Sequence, residues 1–322
     1  MSKKEDNNIA FEQVVARGCG IDVHKSLIVA TIRGIGIKEE TRDYDGFTES
    51  IEQLRDWLLE KGITHVAMES TGVYWKPIYN ILESDFEILI VNARHIKNVP
   101  GHKTDKKDSK WITKLLLSGL LKGSFIPPKN VRELRDLTRY RRKIIQQISS
   151  EKNRIQRILE PACRQGRDAN IKLSSVVSNM SGATATKIIN TMIEGEEDIE
   201  VLSNLRHGKM QASKEELASS LKGAITDHHR FMLRTINESI QEKEKTVEKL
   251  EEQIERQIRA SENTLDAELL TIIPGVSDDA ARDIIAELGT DMSQFPDENH
   301  LTSWAGMSPG NNESAGKKKV VE

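Results

Sequence analysis

Gly18-Cys19-Gly20-Ile21-Asp22 and Leu27-Ile28-Val29-Ala30-Thr31-Ile32-Arg33 are two short runs of small and β-branched residues, joined by the polar turn Val23–Ser26. Runs of this kind, bounded by turn residues, read as neighbouring strands. Lys38–Tyr44 alternates enough to serve as a third, so the chain begins with a meander. Phe47, Ile51, Leu54, Trp57 and Leu58 then recur at helical spacing, which predicts a helix over Phe47–Lys61 with Gly62 as its stop. Strand His65–Glu69, a helix from about Tyr74 to Leu82 and strand Glu87–Asn92 follow.

The β-β-β-α-β-α-β order predicts an α/β domain with a mixed sheet flanked by helices. It matches the RNase H-like (RuvC-like) superfold, although a fold alone does not settle an activity. Beyond it, Ser109–Leu121 is amphipathic, with Thr104 or Asp105 as its cap, and Pro127-Pro128 breaks the pattern. A long helix is expected from about Asn130 to Glu160, its apolar stripe running Leu134, Leu137, Ile144, Ile148, Ile155 and Ile158. The stripe has the spacing of a coiled-coil seam and is interrupted at Arg141 and Glu151. A second long helix is expected from about Asp227 to Glu262, with Leu233, Ile236, Ile240, Val247, Leu250 and Ile254 as its stripe, pairing with the first or with a second subunit. Between them, Gln165–Gly223 is polar and weakly periodic, consistent with short helices and loops. Leu269–Gly289 reads as helix, Pro-Gly-Val hairpin and helix, and Leu301–Glu322 as mostly loop. The expected division is 1–127, 128–262 and 263–322, in keeping with a chain of 322 residues.

Composition narrows the classes. No apolar run is long enough to span a bilayer and no apolar core follows the polar N-terminus, so a cytosolic protein is expected. Cys19 and Cys163 are too few for a disulfide framework or a metal cluster and sit among apolar neighbours, as buried free thiols do. The histidines show no metal-ligand spacing, His228 and His229 included. The net charge of −3 conceals strong segregation. Met1–Pro100 carries 12 Lys+Arg against 16 Asp+Glu, Gly101–Lys172 carries 19 against 7, and Leu173–Glu322 carries 16 against 27. A polyanion is therefore expected on the middle third.

Four carboxylates stand out. Asp22 closes the first strand, Glu69 closes the fourth, and Asp105 and Asp108 are spaced i, i+3, on one face of any helix that starts there. Carboxylates gathered at one edge repel one another, and hard divalent cations, typically Mg²⁺, relieve that repulsion. Two such ions about 4 Å apart suit phosphoryl transfer. Each acid alone is an ordinary cap or turn residue, and only the set in fold order points to chemistry. Lys103, Lys106, Lys107 and Lys110 surround the pair as either a solvated helix face or a phosphate contact. Arg132, Arg135, Arg139, Arg141, Arg142, Arg154 and Arg157 either meet a nucleic-acid backbone or neutralise the acidic last third by helix pairing. Around Pro274-Gly275-Val276, free N–H groups could hold phosphate, but Asp278, Asp279 and Asp283 favour a structural turn equally.

Gly20-Ile21-Asp22-Val23-His24-Lys25, Met68-Glu69-Ser70-Thr71-Gly72-Val73-Tyr74-Trp75, His102-Lys103-Thr104-Asp105-Lys106-Lys107-Asp108 and the stretch from Trp304 to Lys317 resemble, in order, the motifs of the DEDD insertion-sequence transposases. The type is insertion sequence 110, and Asn311-Asn312-Glu313-Ser314-Ala315-Gly316 is similar to its 1111 subgroup. The resemblance implies that Asp22, Glu69, Asp105 and Asp108 bind Mg²⁺, two ions in all, and that Ser314 is the catalytic serine. It implies recombination of donor and target DNA through a covalent serine link, chosen by a structured noncoding bridge RNA. It further implies a homo-oligomer, dimer or tetramer, in a bacterial or archaeal cytoplasm and at the nucleoid when acting.

The family continues past this motif with further basic and helical sequence, whereas here Lys317-Lys318-Lys319 leads to Val320-Val321-Glu322, so a truncated or frame-disrupted copy, or a fragment, is expected. The competing expectation is a catalytically silent relic that still binds nucleic acid. A third, a sugar-kinase-like ATPase, rests on the likeness of Gly20–Lys25 to a phosphate loop, but no second glycine-rich phosphate segment follows.

Overall fold

The computed structural model describes residues 13–70, 72–92, 108–160, 169–180, 182–208, 210–261 and 264–307, and the backbone of 313–314 and 317–318. The chain divides into two compact units, Met1–Ile126 and Pro127–Glu322.

The first unit is built on a five-stranded sheet. Its strands are β1 (Arg17–Val23), β2 (Ile28–Gly34), β3 (Ile37–Tyr44), β4 (His65–Glu69) and β5 (Glu87–Val91), in the order β3-β2-β1-β4-β5. β1 is antiparallel to β2 and parallel to β4, and β5 is parallel to β4. This is the mixed sheet that the element order predicts. Helices α1 (Thr48–Glu60) and α2 (Trp75–Leu82) cover one face. Ile51, Leu54, Trp57, Leu58, Ile78 and Leu82 pack there against Cys19, Ile21, Val66, Met68 and Ile90. Helix α3 (Asp108–Leu117) covers the other face, where Ile112, Leu115 and Leu116 meet Ala67 and Val91. It ends earlier than its apolar pattern suggests, because Ser118 and Gly119, at φ +65°, turn the chain after Leu117. The exposed edge strand β3 reads Ile-Lys-Glu-Glu-Thr-Arg-Asp-Tyr, and its charges discourage edge pairing with another sheet.

The second unit is organised by two long antiparallel helices, α4 (Lys129–Leu159) and α8 (Asp227–Ala260). α4 starts directly after the proline pair. α8 starts at a capping box in which the Thr226 hydroxyl accepts from the His229 N–H and the His229 ring accepts from the Thr226 N–H. Two apolar clusters occupy the two ends of the pair. At one, Ile148, Ile155 and Leu159 of α4 and Leu233, Ile236 and Ile240 of α8 pack with α5 (Ala183–Ile193), α6 (Ile199–Asn204) and α7 (Lys214–Ser220). At the other, Leu134 of α4 and Ile254 and Ile258 of α8 meet Leu270 of α9 (Thr264–Thr271) and Ile285 and Ala286 of α10 (Asp278–Leu288).

The chain from Leu301 departs in part from the loop expected of it. Asp297 caps a short helix, α11 (Glu298–Trp304), by accepting from the His300 N–H. Glu313–Ser314 (β6) and Lys317–Lys318 (β7) pair antiparallel. No helix among the described residues is long and apolar enough to cross a membrane.

Candidate active site

Strand alternation decides where the first two carboxylates go. On β1, Cys19, Ile21 and Val23 are buried toward α1 and α2, so Gly18, Gly20 and Asp22 share the opposite face. On β4, Val66 and Met68 point to that first core, and Ala67 and Glu69 to the α3 side. Ile21 is the register partner of Met68, and the next pair in a parallel ladder is Asp22 and Glu69. Both acids therefore stand at the carboxyl ends of adjacent parallel strands and on one face of the sheet.

Helix α3 brings the third. A Cβ added at Gly20 would lie 2.4 Å from the Ser109 carbonyl oxygen and 2.4 Å from the Thr113 nitrogen, and one added at Gly18 would lie 2.9 Å from the Leu116 side chain. The start of α3 thus lies over the carboxyl half of β1 and its end over the amino half, which places Asp108 at the Asp22 end. A buried polar cluster fixes this docking. The Gly20 N–H donates to the Thr113 hydroxyl at 2.9 Å, and that hydroxyl has the Thr31 and Ser109 carbonyl oxygens as acceptors at 2.9 and 2.6 Å. The Thr31 and Ser109 hydroxyls are 2.8 Å apart. All three side chains are buried.

Asp22 is hydrogen-bonded to His24 Nε2 at 3.1 Å. His24 is held by the tight turn in which its N–H donates to the Leu27 carbonyl. Among the described residues no three Asp, Glu, His or Cys side chains stand close enough to share a metal ion. Asp105, Lys103, Lys106 and Lys107 lie outside the described residues, as does Cys163. Lys110 is paired with Glu39 at 3.0 Å, a carboxylate that Arg33 also approaches. The Cys19 thiol is fully buried, and burial pushes its pKa far up, which makes it inert. Ser314 belongs to the second unit, on β6 opposite Lys317.

The arginines of α4 separate by partner. Arg135, 16% exposed, donates to the carbonyl oxygens of Ala286 and Glu287 at 3.1 and 2.6 Å, and so caps the C-terminus of α10. Burial lowers its pKa from the usual arginine value. Arg141, 13% exposed, bridges Glu251 of α8 at 2.7 Å and Asp279 of α10 at 2.8 Å. Its position in the apolar stripe is thereby accounted for: it ties three helices together. Arg139 and Arg142 pair with Glu287 and Asp283, each at 2.8 Å. Asp279, Asp283 and Glu287 recur every four residues and form one acidic row facing these arginines. Arg154 pairs with Glu151 of its own helix, Arg132 donates to the Pro127 carbonyl, and Arg157 is exposed. At the hairpin, Gly275 takes φ +91° and the Ser277 hydroxyl caps α10, with Asp278 and Asp279 in its first turn.

A family model described as Transposase (DEDD_Tnp_IS110) matches residues 19–163, and one described as Transposase IS116/IS110/IS902 family matches residues 267–321. The chain belongs to the IS110-type transposases. Comparison with curated proteins gives no match. This IS110-type transposase is a DNA transposase, and DNA is its substrate. The first match covers the carboxylate edge and the arginine helix, and the second covers α10 and Ser314. Two contributions of the transposase escape a reading by motif. His24 is quoted within the first motif, but its contact with Asp22 needs the turn geometry. Arg135 looks like any other arginine until α10 is seen to end against it.

Proposed function

We propose that this transposase cuts and rejoins DNA by divalent-metal phosphoryl transfer, with Asp22, Glu69, Asp105 and Asp108 holding two Mg²⁺ ions and Ser314 as nucleophile. The observation that carries the reading is the shared face and shared edge of Asp22 and Glu69, with the first residue of α3 at the same end. The donor set suits a hard cation, since carboxylate oxygens are what Mg²⁺ prefers. When bound, such ions neutralise charge on the phosphate and lower the barrier to attack by an oxygen nucleophile.

The chain's own residues then have separable tasks. The Ser314 hydroxyl gives up its proton and forms a P–O bond, the DNA P–O bond breaks, and the departing deoxyribose oxygen takes up a proton. Bond energy is kept in the phosphoserine, so a hydroxyl of the exchanged strand can displace the serine without a nucleotide cofactor. Lys103, Lys106, Lys107 and Lys110 contact phosphates beside the scissile one. Arg132, Arg139, Arg142, Arg154 and Arg157 serve the backbones of DNA and of a structured noncoding guide RNA, while Arg135, 16% exposed, stays against the carbonyl oxygens that end α10. A dimer or tetramer brings donor and target DNA together.

The test is recombination of a substrate carrying both element ends, with the RNA from the same element, in Mg²⁺ and in chelator. Asp22→Asn, Glu69→Gln, Asp105→Asn and Ser314→Ala are each expected to abolish it. Full activity in chelator would overturn the metal assignment, and full activity of Ser314→Ala the serine assignment.

A further inference from the structure

We infer that Tyr74 is a base-stacking platform that holds an unpaired nucleobase beside the carboxylate edge. The inference deepens the phosphoryl-transfer reading and rests on it for the position of the scissile phosphate. Tyr74 lies five residues after Glu69, on the segment that leaves the carboxyl end of β4 and enters α2. Tyr74 therefore follows just beyond the strand end that carries Glu69, on the chain that enters the helix of the opposite face.

Three observations set this ring apart from an ordinary core aromatic. It is 42% exposed, its neighbour Val73 is 62% exposed, and its side chain makes no hydrogen bond or ring contact among the described residues. The next two aromatics behave differently: Trp75 and Tyr79 meet edge to face at 5.7 Å and border the core under α2. Tyr74 also directly precedes α2 with helical dihedrals, φ −70° and ψ −20°, so its ring leaves from the entry turn of a helix. Finally, the ring is uncrowded on its Gly72 side: that residue is at φ +57°, and even a Cβ there would stand 3.7 Å from Cδ2 and Cε2, at ordinary contact distance.

The chemistry follows from the substrate. Strand exchange draws the cut strand out of its duplex, and the base next to the scissile phosphate then loses its stacking partner. An exposed aromatic face replaces that partner without regard to sequence. Among the described exposed side chains of this edge, His24 and Lys25 offer polar contacts and Tyr74 a flat phenol face.

The experiment uses the full chain and a single-stranded oligonucleotide of about 12 residues made wholly of 5-iododeoxyuridine, long enough for one site. Long-wave irradiation links iodouracil to a stacked aromatic ring, and peptide mapping locates the link. The expected result is a crosslink at Tyr74 in the presence of chelator as well as Mg²⁺. Affinity is expected to hold in Tyr74→Phe and to fall about 5- to 100-fold in Tyr74→Leu, which keeps bulk but not the π face. Circular dichroism confirms that both variants fold. Crosslinks confined to other residues, or equal affinity for the Leu and Phe variants, would overturn the inference. Because stacking needs no metal, a Tyr74 crosslink in a chain whose recombination ignores Asp22→Asn would overturn the phosphoryl-transfer reading and leave the stacking site standing.

Discussion

The Gly20 N–H donates to the Thr113 hydroxyl at 2.9 Å, and through that bond the strand that carries Asp22 grips the helix that carries Asp108. The contact is close because residue 20 has no side chain: α3 lies on the backbone of β1 itself. The acidic edge thus depends on a glycine and a threonine that take no part in chemistry.

Gly20→Ala is expected to displace α3. The added methyl would meet backbone at 2.4 Å on two sides, where no rotamer change relieves it. Unfolding measurements should show a loss of about 2–3 kcal/mol or more, with loss of recombination. Gly18→Ala meets only the side chains of Leu116 and Leu117, which can shift, and is expected to cost less. Equal stability of the two variants would contradict this account of the docking.

Thr113→Val keeps the shape and removes the hydroxyl. The Gly20 N–H then loses its acceptor inside the core, at a cost of about 1–3 kcal/mol by denaturant titration. Thr113→Ser is expected to stay within about 1 kcal/mol of the parent, since it keeps the hydroxyl.

The arginines of α4 should divide in the same way as their contacts. Arg141→Ala removes a largely buried stem and the bridge to Glu251 and Asp279. It is expected to destabilise the second unit by about 1–2 kcal/mol in thermal unfolding, through packing more than charge. Arg154→Gln, on the exposed face, should change stability by less than about 0.5 kcal/mol. Its effect should appear in nucleic-acid binding, where the slope of log affinity against log salt falls by about one.

A pH effect is expected at α10. The hydrogen bond from Arg139 holds the Glu287 carboxyl below its ordinary value of 4.5, against partial burial, which raises it. A carboxyl depressed in the folded state contributes stability above its unfolded pKa and loses that contribution as pH falls through the folded value. The protection of α10 amides, their exchange rate relative to the intrinsic rate at each pH, should therefore hold above the ordinary carboxyl value of 4.5 and fall as pH drops below it. In Glu287→Gln that acid-dependent step should shrink.

Much of the first unit was legible in the sequence, because a half-buried strand writes its pleat as alternation. β4 matches its expected bounds, and β1, β2 and β3 differ from theirs by a residue or so. The four carboxylates could be named from their order, yet the grip of α3 on β1 could not. Thr31, Ser109 and Thr113 are unremarkable hydroxyls until the fold buries them together, with Thr31 78 and 82 positions from its partners Ser109 and Thr113. The same holds for the arginine helix. Both readings of its charge were open, and the pairing of Arg135, Arg139, Arg141 and Arg142 with acids more than a hundred positions away is a tertiary fact. The end of α11 and the β6–β7 ribbon fall in a stretch that reads as loop, because seven residues and two-residue strands are too short to display a period.

The most direct measurement is the trapping of a covalent protein–DNA adduct on a cleavable element-end substrate, resolved by denaturing electrophoresis and mapped to a residue by mass spectrometry. The account predicts an adduct at Ser314 in Mg²⁺, none in chelator, and none in Asp22→Asn or Ser314→Ala. An adduct that persists in Ser314→Ala, or that forms in chelator, would contradict it.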